Sequence, residues 1–161
     1  MKDFASIAEE IINSEKYQSL KEENHHGLSR YDHSLRVAKN TYRLSKKMKM
    51  DYVSATRGAL LHDYFTNEEY RNTKGMKKYS MHPVIALNNA IREFDLNPVE
   101  ENIIVSHMFP IYPVLPRSKE SILVNAVDKV IGSVELVKEY HYKFKYRFNF
   151  LFLFTLLMIR I

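Results

Sequence analysis

The sequence predicts an all-α fold, a single-domain helical bundle of about six to seven helices, on three observations. Apolar residues recur at helical rather than alternating spacing along nearly the whole chain. Helix-starting residues, Ser29, Asp51, Asn97 and Ser118, stand just ahead of those periodic runs. Glycine and proline are scarce, four and five in 161 residues, which does not suit a turn-rich all-β design. With no repeat, low-complexity segment or linker, residues 1–161 read as one domain long enough to bury a sizeable core.

The elements follow in order. A first helix from about Asp3 to Ser14 sets Phe4, Ile7, Ala8, Ile11 and Ile12 on one face. The segment "EENHHGLSR" reads as a loop. Ser29 and Asp32 then form an S-x-x-D capping signal for a helix to about Met48, with His33, Val37, Leu44 and Met48 sharing a face. Asp51 starts a third helix that runs to about Asp63, where His62 stands above the small residues Ala59, Gly58 and Ala55. Residues Thr66 to Tyr79 read as a polar loop. His82-Pro83 opens the next helix, which is expected to turn Val84, Leu87, Ile91 and Phe94 inward. Asn97-Pro98 caps another that ends near His107, "FPIYPVLPR" makes a loop, and Ser118 opens a long helix to roughly Glu139.

Composition narrows the function. A net charge of +5 suits an anionic substrate or surface. The basic pairs Lys46-Lys47 and Lys77-Lys78 are short and lack interleaved stacking aromatics, which argues against a dedicated nucleic-acid groove. The absence of cysteine removes disulfides and thiolate metal sites and fits a cytoplasmic location. The first residues are acidic and amphipathic, without a signal-peptide core. The apolar tail Phe148 to Ile161 is too short for a bilayer span, so no transmembrane segment is expected. A buried terminal helix or strand is the first reading of that tail. Self-association, contact with a membrane surface, or a shifted reading frame are the others.

Six side chains interrupt the apolar faces: His33, His62, Asp63, His82, His107 and Asp128. Asp128 shares its face with Val124 and Ile131, where a bare carboxylate carries a desolvation cost unless it is paired or ligated. Taken singly, each of the six reads as a hydrogen-bonded core residue, and Asp128 has Lys129 and Arg117 as candidate partners. Taken together, they form a nitrogen and oxygen donor set suited to divalent Mn, Fe, Ni, Co or Zn.

The order of these residues, His33 in "RYDHSLRVA", His62-Asp63 in "LLHDYF" and Asp128 in "NAVDKV", resembles the HD superfamily of metal-dependent phosphohydrolases. The likeness spans roughly Asn24 to Glu139 and leaves out the tail. It implies that His33, His62, Asp63 and Asp128 hold one ion, with His62 and Asp63 as the catalytic pair. His82 in "SMHPVIA" and His107 in "IVSHMFP" stand where two-ion members place further ligands, with Asp63 then bridging the ions. Two ions about 3.5–4 Å apart would activate a hydroxide for in-line attack on phosphorus.

The stretch "HHGLSRYDHS" is similar to a segment of small bacterial HD proteins, which makes His25, His26 and Arg30 candidates for substrate phosphate, as is Lys129. Arg30 has a surface pairing with Asp32 or Glu22 as its alternative, and Lys129 a purely structural one. The Gly and Lys that follow the HD pair in cyclic-dinucleotide members are replaced here by "YFTN". The double histidine and "GYP" of that branch are Ser106-His107 and "FPIYP", so its substrate is not transferred.

The implied function is hydrolysis of a small-molecule phosphomonoester or phosphodiester, with a nucleotide among the candidate substrates. A metal-retaining sensor or scaffold with little turnover is one alternative. Oxygen-dependent chemistry of the kind found in a few diiron relatives is the other.

Overall fold

The computed structural model describes residues 2–25, 28–71 and 81–158, with the side chains of residues 24, 25, 28, 143 and 145–158 excepted. In chain order the elements are α1 (Phe4–Ile12), α2 (Glu15–Ser19), β1 (Asn24–His25), β2 (Leu28–Ser29), α3 (Arg30–Lys47), α4 (Tyr52–Leu61), α5 (Asn67–Arg71), α6 (His82–Glu93), α7 (Pro98–Ser106) and α8 (Lys119–Met158). The fold is all-α. Its two strands are a two-residue antiparallel pair, Asn24 opposite Ser29 and His25 opposite Leu28, inside the segment read as a loop.

Capping side chains set the helix starts. Asp3, Ser14, Ser29, Asp51 and Asn97 each accept a hydrogen bond from a backbone N–H of the first turn they precede. At α7 the bond is reciprocal, because Glu100 also accepts from the Asn97 N–H. The first helix ends close to where it was expected, and Ser14 starts a further short helix, α2, that the sequence reading did not include.

The central helix is α4, which touches α1, α3, α6, α7 and α8. Its small residues make this possible. A Cβ added at Gly58 would lie 2.7 Å from the Ile103 side chain of α7. The small-residue face therefore takes a neighbouring helix in close contact. Around α4 the fully buried core gathers Ile11, Tyr17, Leu20, Val37, Leu60, Leu61, Tyr64, Ile103, Ile104 and Val124.

Several predicted faces are corrected. On α3, Val37 is buried but Leu44 and Met48 are exposed, since the last turns run past the core and Ser34, Ala38, Thr41 and Ser45 make the contact. On α6 the buried residues are Pro83, Ala86, Asn89 and Ala90, while Val84 and Leu87 are half-buried and Ile91 is exposed. Phe94 is buried as expected. The polar segment after Thr66 contains α5, and residues 72–80 lie outside the described residues.

The long C-terminal helix does not stop near Glu139. Its backbone stays helical for 40 residues, into the apolar tail. Val137, Tyr140, Tyr142 and Phe144 are exposed, so the described approach to the tail is not a buried helix. Among the described residues no helix is long and apolar enough to cross a membrane.

Candidate metal centre

Five helices deliver the six predicted ligands to one place. His33 lies in the first turn of α3, His62 is the C-cap of α4 with Asp63 next to it, and His82 opens α6. His107 is the C-cap of α7, and Asp128 projects from the first third of α8. The side chains form two groups that could each hold an ion: His33, His62 and Asp128, and Asp63, His82 and His107. Within each group the ligand atoms lie within 4.8 Å of one another.

In the first group Asp128 Oδ1 is 3.0 Å from His33 Nε2 and 3.5 Å from His62 Nε2. In the second, Asp63 Oδ1 is 3.5 Å from His107 Nε2 and 3.7 Å from His82 Nε2. The other oxygen of Asp63, Oδ2, faces His62 Nε2 at 3.7 Å. One carboxylate thus addresses both groups, one oxygen to each.

The rings are oriented from behind. His62 Nδ1 donates to the Ala59 carbonyl at 2.8 Å, and His107 Nδ1 donates to the Ile104 carbonyl at 2.7 Å. A ring nitrogen held against a carbonyl keeps its proton, so when either ring gives one up the lone pair left is on Nε2, facing the centre. Among the described residues His62 Nε2 is fully buried and has no hydrogen-bond partner. A buried, unpaired ring nitrogen beside two carboxylates is the environment a divalent cation satisfies, so the donor set fits a metal.

The electrostatics agree. Burial works to raise the pKa of Asp128, but His33 and His62 beside it hold that carboxyl well below the usual range. Burial works to lower that of His33, and its hydrogen bonds to Asp128 and Glu135 overcome this and raise it to about 10 in the metal-free chain. His107 goes the other way: burial, reinforced by the charge of His62, pushes it down to about 3. Carboxyl and imidazole groups shifted this far from their ordinary values, and in opposite directions, are characteristic of functional sites.

The candidate phosphate contacts are placed differently. Arg30 is buried, with Nη1 donating to the Phe65 carbonyl at 3.1 Å and Nη2 to Asn67 Oδ1 at 3.3 Å. Its guanidinium lies over the Phe65 ring and 3.7 Å from Glu23. It pairs with neither Asp32 nor Glu22, because the chain folds it under the segment that follows the His-Asp pair. Lys129 is exposed and donates to the His107 carbonyl at 3.1 Å, and burial against this wall lowers its pKa. His26 lies outside the described residues, and so does the side chain of His25. Arg117 and Lys129, named above as partners for Asp128, give way to His33 and His62.

Two residues escaped the sequence reading. Glu135 accepts from His33 Nδ1 at 2.7 Å. Asn125 donates to the carbonyls of Ser106, His107 and Phe109, which fixes the end of α7 from which His107 projects. Both lie on the Asp128 helix, Glu135 seven residues after it and Asn125 three before, and helical spacing from Asp128 was the available signal.

Comparison with known proteins agrees with this centre. The HD domain family matches residues 30–132, well over half of the chain, a span that contains all six ligands. No curated protein and no solved structure gives a match. With the His33, His62-Asp63 and Asp128 signature brought together in space and the family match running across it, the chain belongs to the HD-domain family.

Proposed function

We propose that this protein is a metal-dependent phosphohydrolase in which His33, His62 and Asp128 would hold one divalent ion and His82 and His107 a second, with one oxygen of Asp63 available to each. The observation that carries the reading is the pair of Asp63 oxygens, Oδ2 toward His62 and Oδ1 toward His82 and His107. Divalent ions in such a site supply Lewis acidity toward phosphoryl oxygens and make water acidic enough to act as a nucleophile near neutrality.

The chain's own residues do the rest. The Ala59 and Ile104 carbonyls keep His62 and His107 in the tautomer whose Nε2 can ligate. The side chains of His82 and Asp128, 14% and 13% exposed, are the least covered of the six, so substrate enters on their side. Lys129, exposed and adjacent to Asp128 in the chain, carries a positive charge suited to phosphate. Arg30 acts at a distance, anchoring Phe65 and Asn67 just beyond the His-Asp pair.

Elemental analysis and a substrate panel test the proposal. Purified or reconstituted protein should carry close to two transition-metal ions per chain. It should hydrolyse an aryl phosphate or a member of a nucleotide panel with Mn present, and His62→Ala and Asp63→Ala should abolish this. Metal without turnover on any phosphoester would favour a sensing domain or oxygen chemistry, and less than one ion per chain would retire the two-ion arrangement.

A further inference from the structure

We infer that Glu135 is the positioning residue that aims His33 at the first ligand group, so that this group's hold on an ion depends on a carboxylate outside it. The inference rests on the reading of His33, His62 and Asp128 as ligands. A ligating imidazole needs an acceptor behind its second nitrogen to fix ring and tautomer.

His62 and His107 find theirs in their own helices. The last four carbonyls of a helix lack a donor within it, and a histidine at the C-cap reaches one of them three residues back. His62 takes Ala59 and His107 takes Ile104 in this way. His33 stands at the opposite end of a helix, in the first turn of α3, where the carbonyls are taken up by the helix itself. Its acceptor has to come from another element.

The helix α8 supplies it. Asp128 and Glu135 are two turns apart on one face, and between them they meet both nitrogens of His33. Asp128 Oδ1 is 3.0 Å from Nε2, and Glu135 Oε2 is 2.7 Å from Nδ1. Glu135 is held in turn by Arg36, one turn beyond His33 on α3, whose Nη1 donates to Oε1 at 3.3 Å. The side chains of His33 and Glu135 are each 2% exposed, so water does not compete for the bond. A charged acceptor also makes the ring a stronger electron donor than a carbonyl would.

Calorimetric titration of Zn or Mn into the full chain tests this, comparing wild type with Glu135→Gln, Glu135→Ala and His33→Ala. Glu135→Ala should weaken one of the two binding steps by about 10–100-fold. That step should be the one His33→Ala removes, with the other unchanged. Glu135→Gln keeps an acceptor without charge and should fall between wild type and Glu135→Ala. If the alanine variant fails to fold, the glutamine variant carries the comparison. In Zn-loaded protein the His33 Nδ1 proton should exchange slowly in wild type and faster in the variants, as followed by NMR.

Both steps at wild-type strength in the folded variants would overturn the inference. So would equal weakening of both steps, the mark of a merely structural role. A wild type that takes up no metal would instead overturn the metal reading itself, and the inference with it.

Discussion

His82 Nε2 and His107 Nε2 stand 3.0 Å apart, brought together from the start of one helix and the end of the next. His107 already donates from Nδ1 to Ile104, so in the metal-free chain the proton between the two rings belongs to His82. An ion binding there has to displace it. His82→Ala should therefore lose one of two metal equivalents, leave the other in place and, in chelator-treated protein, change the melting temperature little, because His82 is the least covered of the four histidines. Elemental analysis with a thermal melt measures both. Full wild-type stoichiometry in the variant would exclude His82 as a ligand.

The pKa of His33, raised to about 10 from 6.5 in the metal-free chain, sets a pH dependence. A raised pKa means that the protonated ring's contribution to stability is complete below pH 6.5 and is lost as pH climbs through about 10. Chelator-treated protein should lose melting temperature across that interval, and His33→Ala should flatten the loss. Metal competes with the same proton, so affinity for the ion should rise over the same range. A chelated melting temperature independent of pH would contradict this account.

Gly58→Ala should destabilise the fold. The new Cβ meets Ile103 side-chain atoms at 2.7–2.8 Å, and the nearest of them include the branched Cβ and Cγ2, not only the flexible end. A clash of this kind costs about 1–3 kcal/mol. For a chain of this size the melting temperature should fall by roughly 2–4 °C per kcal/mol. Adding Ile103→Val should cost less in the Gly58→Ala background than in wild type, the non-additivity expected of residues in contact. Additive effects would show that α4 and α7 are not in close contact at this point.

Arg30→Lys keeps the charge but cannot make the fork to Phe65 and Asn67. Denaturant titration should show a loss of about 1–3 kcal/mol. Unchanged stability with a raised KM would show that the guanidinium reaches the substrate instead.

Much of this molecule can be read from its letters, and the exceptions have physical causes. The caps at Ser29, Asp51 and Asn97 are local chemistry, decided within three residues, and the structure keeps them. The ligand groups were legible because His33, His62, Asp63, His82, His107 and Asp128 interrupt apolar faces where a polar side chain has to be satisfied. The inward face of α6 was not, since two alanines, an asparagine and a proline pack there while the larger Ile91 stays outside. Periodicity says that one face is buried, but the shape of the neighbour decides how large its residues can be. The commitment of Arg30 and the bond from His33 to Glu135 join residues far apart in sequence, and only the helical spacing of Glu135 from Asp128 hinted at the second.

Because the ligand-bearing residues sit on five separate helices, an ion captured at the centre behaves as a rivet through the bundle. Each ion bound only by the native state raises the free energy of unfolding in proportion to the logarithm of its concentration over its dissociation constant. Loading the centre and resisting heat are then one equilibrium seen from two sides, and scarcity of metal would soften the whole protein before it silenced any chemistry.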